Sequence, residues 1–367
     1  MNGMKAAAVL LFLCFFPSAN RVWAQSRVPD GELRFAEFGD FRLQNGRVIH
    51  NFRLGYRTFG QLDAGKSNAI LWPTWLGGIS QELLQFVGPG KVLDPSKYFV
   101  VLVDAIGDGV SSSPSNSKDQ RLMKFPEFSI RDMVEAEHRL ATDVLHVDHL
   151  RAVVGVSMGG MQTFSWAVAY PDFMDLAIPV AGSPQSTSAD KLLWTAQIDA
   201  IELDPAWNHG MPTGPLTGGL ALADEIGEMS LTSPAYRVAH TGTDQFGAYL
   251  SELRKKAATD AGTACNHIRQ RQAIMALDIP KELGVSMAET TKRAHAKFLI
   301  VVSQQDHVVN PTPALAFAAA DGAPVITLNS DCGHSSTACI SLGPTIGRFL
   351  VDPSSVRSET LTDPANP

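Results

Sequence analysis

Short apolar runs alternate along much of the chain with segments whose apolar residues recur at helical spacing. The runs predict buried strands, and the spaced positions predict amphipathic helices. The runs are 69–72, 98–103, 152–154, 175–181, 297–303 and 324–328, and the helical segments are 130–145, 158–170, 312–320 and 341–350. Strands that alternate with helices predict an α/β fold with a mostly parallel central sheet and helices on both faces.

Two regions depart from this alternation. Residues 33–59 alternate between apolar and polar positions around Asn45-Gly46, which predicts a hairpin and an antiparallel start to the sheet. Residues 183–292 have only helical patterns, so we predict a helical insertion there. The remaining core then falls into two parts, 25–182 and 293–351. The Pro-rich polar tail, 352–367, is expected to be disordered.

The first 24 residues predict a cleaved signal peptide. Lys5 supplies a positive charge before the apolar stretch 6–16, and Ala24 supplies a small residue at the cleavage position. A membrane anchor is the alternative, but the stretch is far shorter than the about 20 residues that a spanning helix needs. We therefore expect a secreted or periplasmic protein with no membrane span after cleavage.

Composition excludes some classes of partner. The 367 residues have a net charge of −7 and contain no basic run, so nucleic acid is not an expected partner. Three cysteines remain after cleavage, and no His or Cys cluster has the spacing of metal ligands, so we expect neither a metal nor a cofactor. Cys332 and Cys339 could form a bridge, but free, buried thiols are the favoured interpretation for these two residues and for Cys265.

The strongest chemical signal is Gly155-Val-Ser-Met-Gly159, which matches G-x-S-x-G between a predicted strand and a predicted helix. That context is typical of a nucleophile elbow, in which a sharp turn exposes the serine at the carboxyl end of a strand. Glycine is needed where strand and helix backbones pass close together. The alternative is an ordinary turn, since turns favour both glycine and serine. We predict that Ser157 is a nucleophile.

An acid and a histidine for this serine are expected after the insertion. Asp306 follows the strand 298–302, and His334 follows the strand that ends at Leu328, so both lie beyond carboxyl ends of strands. His334 would take the Ser157 proton, and Asp306 would hold the imidazole. Of the rival histidines, His295 precedes a strand and His307 adjoins the proposed acid. The alternative for Asp306 is an ordinary loop acid.

Two backbone N–H groups are candidates for the oxyanion site. One belongs to Met158, the residue after the nucleophile, and the other to Trp75 in the loop after the strand 69–72. The Leu76 N–H is the next candidate in that loop, and Gly77-Gly78 would let the loop approach the serine. Trp75 is alternatively a wall of the pocket, and the two roles are compatible.

With these residues in place, the sequence resembles the homoserine O-acetyltransferase family of α/β-hydrolase enzymes over most of residues 50–350. The stretches that carry the resemblance are 54–60, 67–69, 129–134, 152–162, 170–172, 204–207, 219–221, Gln305-Asp306 and Gly333-His334. The resemblance implies the α/β-hydrolase fold, with Ser157, Asp306 and His334 as its triad. It also implies that the insertion is a lid over a tunnel to the serine, and often a homodimer formed through that lid.

Two positions depart from the family. The family has an aspartate directly after its histidine to hold the substrate's amino group, and this chain has Ser335 there. The family also has a lid arginine for the substrate's carboxylate, after a Gly-Leu-Ala segment that leads here to Asp224. A zwitterionic amino acid would lose both charged partners. An exported enzyme would also lack acyl-CoA, a cytoplasmic metabolite.

We therefore expect an exported serine hydrolase that cleaves a small-molecule carboxylic ester. Leu76, Asp224 and Ser335 are candidate pocket residues. Acyl transfer from CoA to a hydroxyl acceptor is the alternative, and a binding module without catalysis is a third hypothesis that the intact Ser, Asp and His disfavour. Four insertion side chains are candidate pocket walls, although core positions within the insertion are the favoured interpretation: Trp194, Trp207, Met211 and Phe246.

Overall fold

The computed structural model describes residues 30–257 and 259–363. The predicted signal peptide, 1–24, lies outside the described residues. The strands are β1 (Arg34–Arg42), β2 (Val48–Phe59), β3 (Ala69–Pro73), β4 (Phe99–Val103), β5 (Leu150–Val156), β6 (Met174–Val180), β7 (Lys297–Phe298), β8 (Ile300–Ser303), β9 (Val325–Asn329) and β10 (Glu359–Thr362). Every predicted strand of the core is present.

These strands form one sheet in the order β1-β2-β4-β3-β5-β6-β8-β9-β10, with β7 paired to β6. β1 and β2 are antiparallel on either side of the turn at Asn45-Gly46, as predicted, and β2 is antiparallel to β4. From β4 to β10 the neighbours are parallel. The predicted mostly parallel sheet is confirmed, and the carboxyl ends of its central strands meet at one edge.

Helices cover both faces of the sheet. They are α1 (Ile130–Arg139), α2 (Met158–Ala169), α3 (Ser188–Glu202), α4 (Thr217–Leu231), α5 (Pro234–His240), α6 (Phe246–Lys256), α7 (Ala261–Ala276), α8 (Ile279–Leu283), α9 (Met287–Thr291), α10 (Thr312–Asp321), α11 (Ser336–Cys339) and α12 (Gly343–Val351). Of the helices in the described residues, none is long and apolar enough to cross a bilayer.

Two apolar clusters, one on each face, hold the helices against the sheet. Successive residues of β5 point to opposite faces, so Val153 joins one cluster and Val154 joins the other. The first cluster takes Phe164 of α2 and Phe317 of α10, and the second takes Phe349 of α12. When both faces of a parallel sheet are buried, successive residues of a strand must all be apolar, and the uninterrupted apolar runs of the sequence have this pattern.

The insertion between β6 and β7 is helical, from α3 to α9. It has a small apolar cluster of its own, which includes Trp207, Leu220 and Ile268. Several large apolar side chains of the insertion are exposed, among them Leu203 and Val238, each with 80% of its surface accessible. Dimer formation through the insertion stays a prediction.

The tail departs from the expected disorder. β10 pairs in parallel with β9, so that Leu361 lies opposite Leu328, and Val356 is buried against the core. The expectation was wrong for residues 353–363, because strand pairing uses backbone groups that a polar composition does not remove. Residues 364–367 lie outside the described residues.

The cysteines also depart from expectation, since Cys332 and Cys339 form a disulfide and only Cys265 is a free, buried thiol among the described cysteines. The short turn Gly333–Ser335 and α11 fold the chain back on itself, which brings the two Cα atoms to 6.5 Å. That separation suits a disulfide. The bridge closes a loop around His334.

We expect the loss of this disulfide to destabilise the protein. Replacing both residues, Cys332→Ser with Cys339→Ser, should lower the free energy of unfolding by about 2 kcal/mol, because the short loop is no longer closed in the unfolded chain. Thermal melting checks this, with wild-type protein treated with reductant as the matched control. The reduced wild type and the double variant should melt together. Equal melting of oxidised and reduced wild type, with both thiols shown free by mass spectrometry, would contradict the expectation.

Candidate active site

Ser157 lies in a strained turn between β5 and α2. Its backbone has φ 57° and ψ −121°, a conformation that few residues other than glycine adopt. A Cβ at Gly155 would lie 2.1 Å from the carbonyl oxygen of Gly159, and a Cβ at Gly159 would lie 2.7 Å from that of Pro73. Both glycines are therefore required sterically. The Ser157 N–H donates to the carbonyl oxygen of Val180 at 2.8 Å, which ties the turn to β6.

His334 lies beside this serine, on the turn after β9. Its Nε2 is 2.8 Å from the Ser157 Oγ, and its Nδ1 is 2.7 Å from Oδ2 of Asp306. Gly333 has φ +60° and lies against Leu231 and Thr232 of the insertion, where a Cβ would meet backbone at about 3 Å. The predicted nucleophile, base and acid are thus brought together in one hydrogen-bonded chain.

Asp306 is held rigidly in the loop after β8. Its Oδ1 accepts the N–H groups of Val308 at 2.9 Å and Val309 at 2.8 Å, which leaves Oδ2 for His334. Its side chain is 1% exposed, and that of His334 is 10% exposed. An ionised carboxylate at this depth depends on such hydrogen bonds.

The environment raises the pKa of His334 above its ordinary value. Burial alone would lower this pKa, but the charge and hydrogen bond of the Asp306 carboxylate, with the charge of Asp190, favour the imidazolium more strongly. A base of higher pKa accepts a hydroxyl proton more readily.

The rival histidines lie elsewhere. His295 precedes β7 and contacts Asp172 on the protein surface, with 2.8 Å between Nδ1 and the carboxylate. His307 is exposed. Neither is part of the chain of hydrogen bonds to Ser157.

The candidate oxyanion donors lie on either side of Ser157. Met158 is the first residue of α2, whose first N–H groups have no acceptor within the helix. Trp75 and Leu76 lie in residues 74–78, the oxyanion loop, which follows β3. Within residues 30–257 and 259–363, neither the Trp75 nor the Leu76 N–H donates to a protein acceptor, so Trp75 stays the first candidate in the loop and Leu76 the next.

A cavity of about 530 Å³ contains Ser157 and His334. The predicted pocket residues line it: Trp75, Leu76, Asp224 and Ser335. Of the four insertion side chains proposed as walls, Trp194 lines the cavity. Trp207 belongs to the insertion's own apolar cluster, and Met211 and Phe246 are exposed outside this cavity.

The cavity also contains an arginine that the sequence pattern did not assign. Arg271 of α7 lines the same wall as Asp224, and its Nε donates to Gln197 Oε1 at 3.0 Å. Burial lowers the pKa of Arg271 to about 10, partly opposed by the charge of Asp224. Burial likewise raises the pKa of Asp224, and Arg271 opposes that shift.

Arg271 therefore places a cation in the cavity, although the sequence has Asp224 after its Gly-Leu-Ala segment. α7 supplies this guanidinium from 47 residues further along the chain than Asp224, which lines the same cavity. A signal for it exists in the sequence: α7 has a run of polar residues, Asn266 and 269–271, that the structure buries together.

The arrangement as a whole suits acyl chemistry. The Ser157 hydroxyl, the His334 imidazole and the Asp306 carboxylate are hydrogen-bonded in that order, and the hydroxyl lies at the N-terminus of α2. The groups that face the rest of the cavity come largely from the insertion.

Comparison with known proteins agrees with this geometry. An ethyl acetate hydrolase of Pseudomonas veronii is 40% identical over 183 residues, 49% of this chain and 52% of that protein. A homoserine O-acetyltransferase of Methanococcoides burtonii is 30% identical over 308 residues, 74% of this chain and 62% of that protein. The matches thus span about half to three fifths of these relatives' lengths. The structure of the acetyl esterase MekB matches with a TM-score of 0.80 at 28% identity, covering 88% of this chain and 97% of that one.

The homologues therefore include both esterases and homoserine O-acetyltransferases. Residues 76–335, most of the chain, match the family described as alpha/beta hydrolase fold. Together with the mostly parallel sheet and the strand-to-helix turn at Ser157, this match shows that the chain belongs to the alpha/beta hydrolase fold family.

Proposed function

We propose that this protein hydrolyses carboxylic esters through an acyl-enzyme intermediate on Ser157. The observation that carries the proposal is the chain of hydrogen bonds from Ser157 through His334 to Asp306, with distances of 2.8 Å and 2.7 Å, inside a cavity. The esterase relatives support the same reaction class. No metal or cofactor takes part in the proposed steps.

Acylation follows from the positions of these groups. The Ser157 oxygen attacks the ester carbonyl carbon as its proton passes to Nε2 of His334, and Asp306 stabilises the resulting imidazolium. The negative charge that develops on the carbonyl oxygen is stabilised by the N–H groups of Met158 and Trp75. When the bond between the carbonyl carbon and the alcohol oxygen breaks, His334 gives its proton to the leaving alcohol.

Deacylation repeats these steps with water. His334 takes a proton from the water as its oxygen attacks the acyl carbon. The bond to Ser157 then breaks, and His334 returns the proton to the Ser157 oxygen. The products are a carboxylic acid, the alcohol and the regenerated serine.

The relatives' names and the first residues of the chain bear on the substrate and the compartment. The names of the ethyl acetate hydrolase and the acetyl esterase favour a small acyl group. We propose export because the first residues have the pattern of a signal peptide, and because the Cys332–Cys339 disulfide suits an oxidising compartment.

Acyl transfer to a hydroxyl acceptor is the second candidate function. The homoserine O-acetyltransferase relatives favour it, and Arg271 offers a cation that could hold an acceptor's carboxylate. Ser335 counts against it, because a neutral side chain stands where that family has an aspartate for the amino group.

The decisive experiment compares Ser157→Ala with wild type on short-chain aryl and alkyl esters. The variant should lose about 10⁴-fold or more in kcat, since the acyl-enzyme cannot form. Ser165→Ala is the matched control, a buried serine on the same helix, and it should keep wild-type turnover and melting. A fluorophosphonate should label wild type and Ser165→Ala but not Ser157→Ala. Turnover by Ser157→Ala at the wild-type rate would contradict the assignment.

The same enzyme distinguishes hydrolysis from transfer. Acetyl-CoA is supplied with and without homoserine, beside an aryl acetate in water. Hydrolysis predicts turnover of the aryl acetate without an acceptor. Release of CoA that requires homoserine, with no turnover of the aryl acetate, would favour the transferase.

The raised pKa of His334 predicts the pH dependence of kcat/KM. Only the neutral imidazole can accept the Ser157 proton, so activity is present above the pKa of His334 and is lost as pH falls through it. The acidic midpoint should lie above about 6.5, the ordinary histidine value. Initial rates at low substrate concentration across pH 5–9 measure it, and a midpoint clearly below 6.5 would contradict the prediction.

Asp306→Asn tests the cause of that shift. A neutral amide removes the charge that raises the pKa of His334, so the acidic midpoint should move to lower pH. In the same variant kcat should fall by up to about 10⁴-fold, because the imidazole loses its orienting carboxylate. An unchanged midpoint would show that Asp306 does not set the pKa of His334.

A further inference from the structure

One peptide unit of the oxyanion loop accepts a hydrogen bond from a buried side chain of α2. Its carbonyl oxygen belongs to Thr74, and its N–H is that of Trp75, the proposed oxyanion donor. The Nε2 of Gln162 donates to the Thr74 oxygen at 3.1 Å. Because a trans peptide is planar and its C=O and N–H point in opposite directions, the bond that fixes the carbonyl also fixes the direction of the N–H.

Gln162 contacts the second proposed donor residue as well. It lies on α2, one turn after Met158, and its Nε2 also donates to the Met158 carbonyl oxygen at 3.2 Å. Both neighbours are carbonyl oxygens, so the amide must present its nitrogen to them. One buried group therefore joins the start of α2 to the loop after β3.

The oxygen of the Gln162 amide makes no comparable hydrogen bond among the described residues. This atom, Oε1, is buried without a hydrogen-bond partner in the part of the chain that the structure describes. Gln162 is fully buried. An unsatisfied buried acceptor is unfavourable and uncommon, and here it accompanies a donor that serves two backbone oxygens at the site.

We propose that Gln162 is a positioning residue for the oxyanion site, an inference that rests on the proposed ester hydrolysis. It sets the direction of the Trp75 N–H relative to Ser157. By donating to the carbonyl of the same peptide, it also polarises that N–H, since linked hydrogen bonds strengthen one another. The stabilisation acts on the charge that develops in the transition state.

The far end of the loop has its own anchor, which comes from the insertion. The Gly77 N–H donates to Oε1 of Gln270 at 2.8 Å, and Nε2 of Gln270 donates to the Ile106 carbonyl oxygen at 3.1 Å. Gln270 is fully buried on α7. The loop is thus fixed at both ends, and Gln162 is the anchor that contacts the donor peptide itself.

Gln162→Met tests the proposal, because it keeps the length of the side chain and removes the donor. The matched control is Thr163→Val, since Thr163 is the next residue, is equally buried and donates to the Gly159 oxygen at 2.9 Å, a hydrogen bond within α2. Three quantities are measured: kcat and KM for an aryl acetate, the inhibition constant of a trifluoromethyl ketone, and the melting temperature. The ketone forms a tetrahedral adduct with Ser157 that places an oxyanion at the site.

We expect Gln162→Met to lower kcat by about 10- to 100-fold with little change in KM, somewhat less than the loss of an oxyanion donor itself. The ketone should bind more weakly by a similar factor. Thr163→Val should keep wild-type kcat and ketone affinity, even if its melting temperature falls as far as that of Gln162→Met.

Gln162→Glu adds a second measurement, the pH dependence of activity, which a purely structural role of Gln162 would not change. The carboxylate cannot donate, but the protonated acid can. The activity of Gln162→Glu relative to wild type should therefore rise as pH falls, when each is measured at the same pH. This ratio removes the pH dependence that the two proteins have in common.

The outcomes separate this inference from the proposed function. Absence of ester turnover in wild type overturns the proposed function and the inference with it. Wild-type turnover with Gln162→Met equal to Thr163→Val in kcat and ketone affinity overturns the inference alone. So does a loss that appears in KM and not in kcat.

Discussion

The site depends on one steric constraint, the close passage of β5 and α2 at Ser157. The turn between them holds Ser157 at positive φ, which costs about 1–3 kcal/mol and persists only when the surroundings enforce it. The N–H bond to Val180 and the buried face of α2 enforce it here. The turn exposes the Ser157 hydroxyl beside the first N–H groups of α2.

The sheet and the insertion contribute different groups to the site. Loops at the carboxyl ends of β3, β8 and β9 supply the oxyanion loop, Asp306 and His334, so the groups of the proposed reaction all follow buried strands. The insertion supplies Trp194, Asp224 and Arg271, which line the cavity beside Ser157 and His334. The two parts meet where Gln270 holds Gly77, so a change in the insertion can reach the chemistry without contact to Ser157.

Sequence reasoning placed Ser157, Asp306 and His334 at one site because each position has a local cause. Gly155 and Gly159 flank a strand-to-helix turn, and Asp306 and His334 each follow a strand of a parallel sheet, whose ends must converge. Arg271 was missed because the polar run of α7 does not show by itself which of its residues reach the cavity. The role of Gln162 depends on Thr74, which lies 88 positions earlier. Disulfide formation depends on a three-residue turn that the cysteine spacing alone does not specify.

The strand at the C-terminal end has a consequence for the protein's behaviour in solution. Without β10, the free edge of the sheet would be β9, which leads directly into the loop of His334. β10 covers that edge, and Asp363 extends the cover by donating its N–H to the Asn329 oxygen and accepting from Ser330 Oγ. The new edge is four residues long and mostly exposed and polar. Because long apolar edges recruit strands from other molecules, a short polar edge such as β10 disfavours aggregation by edge-to-edge pairing.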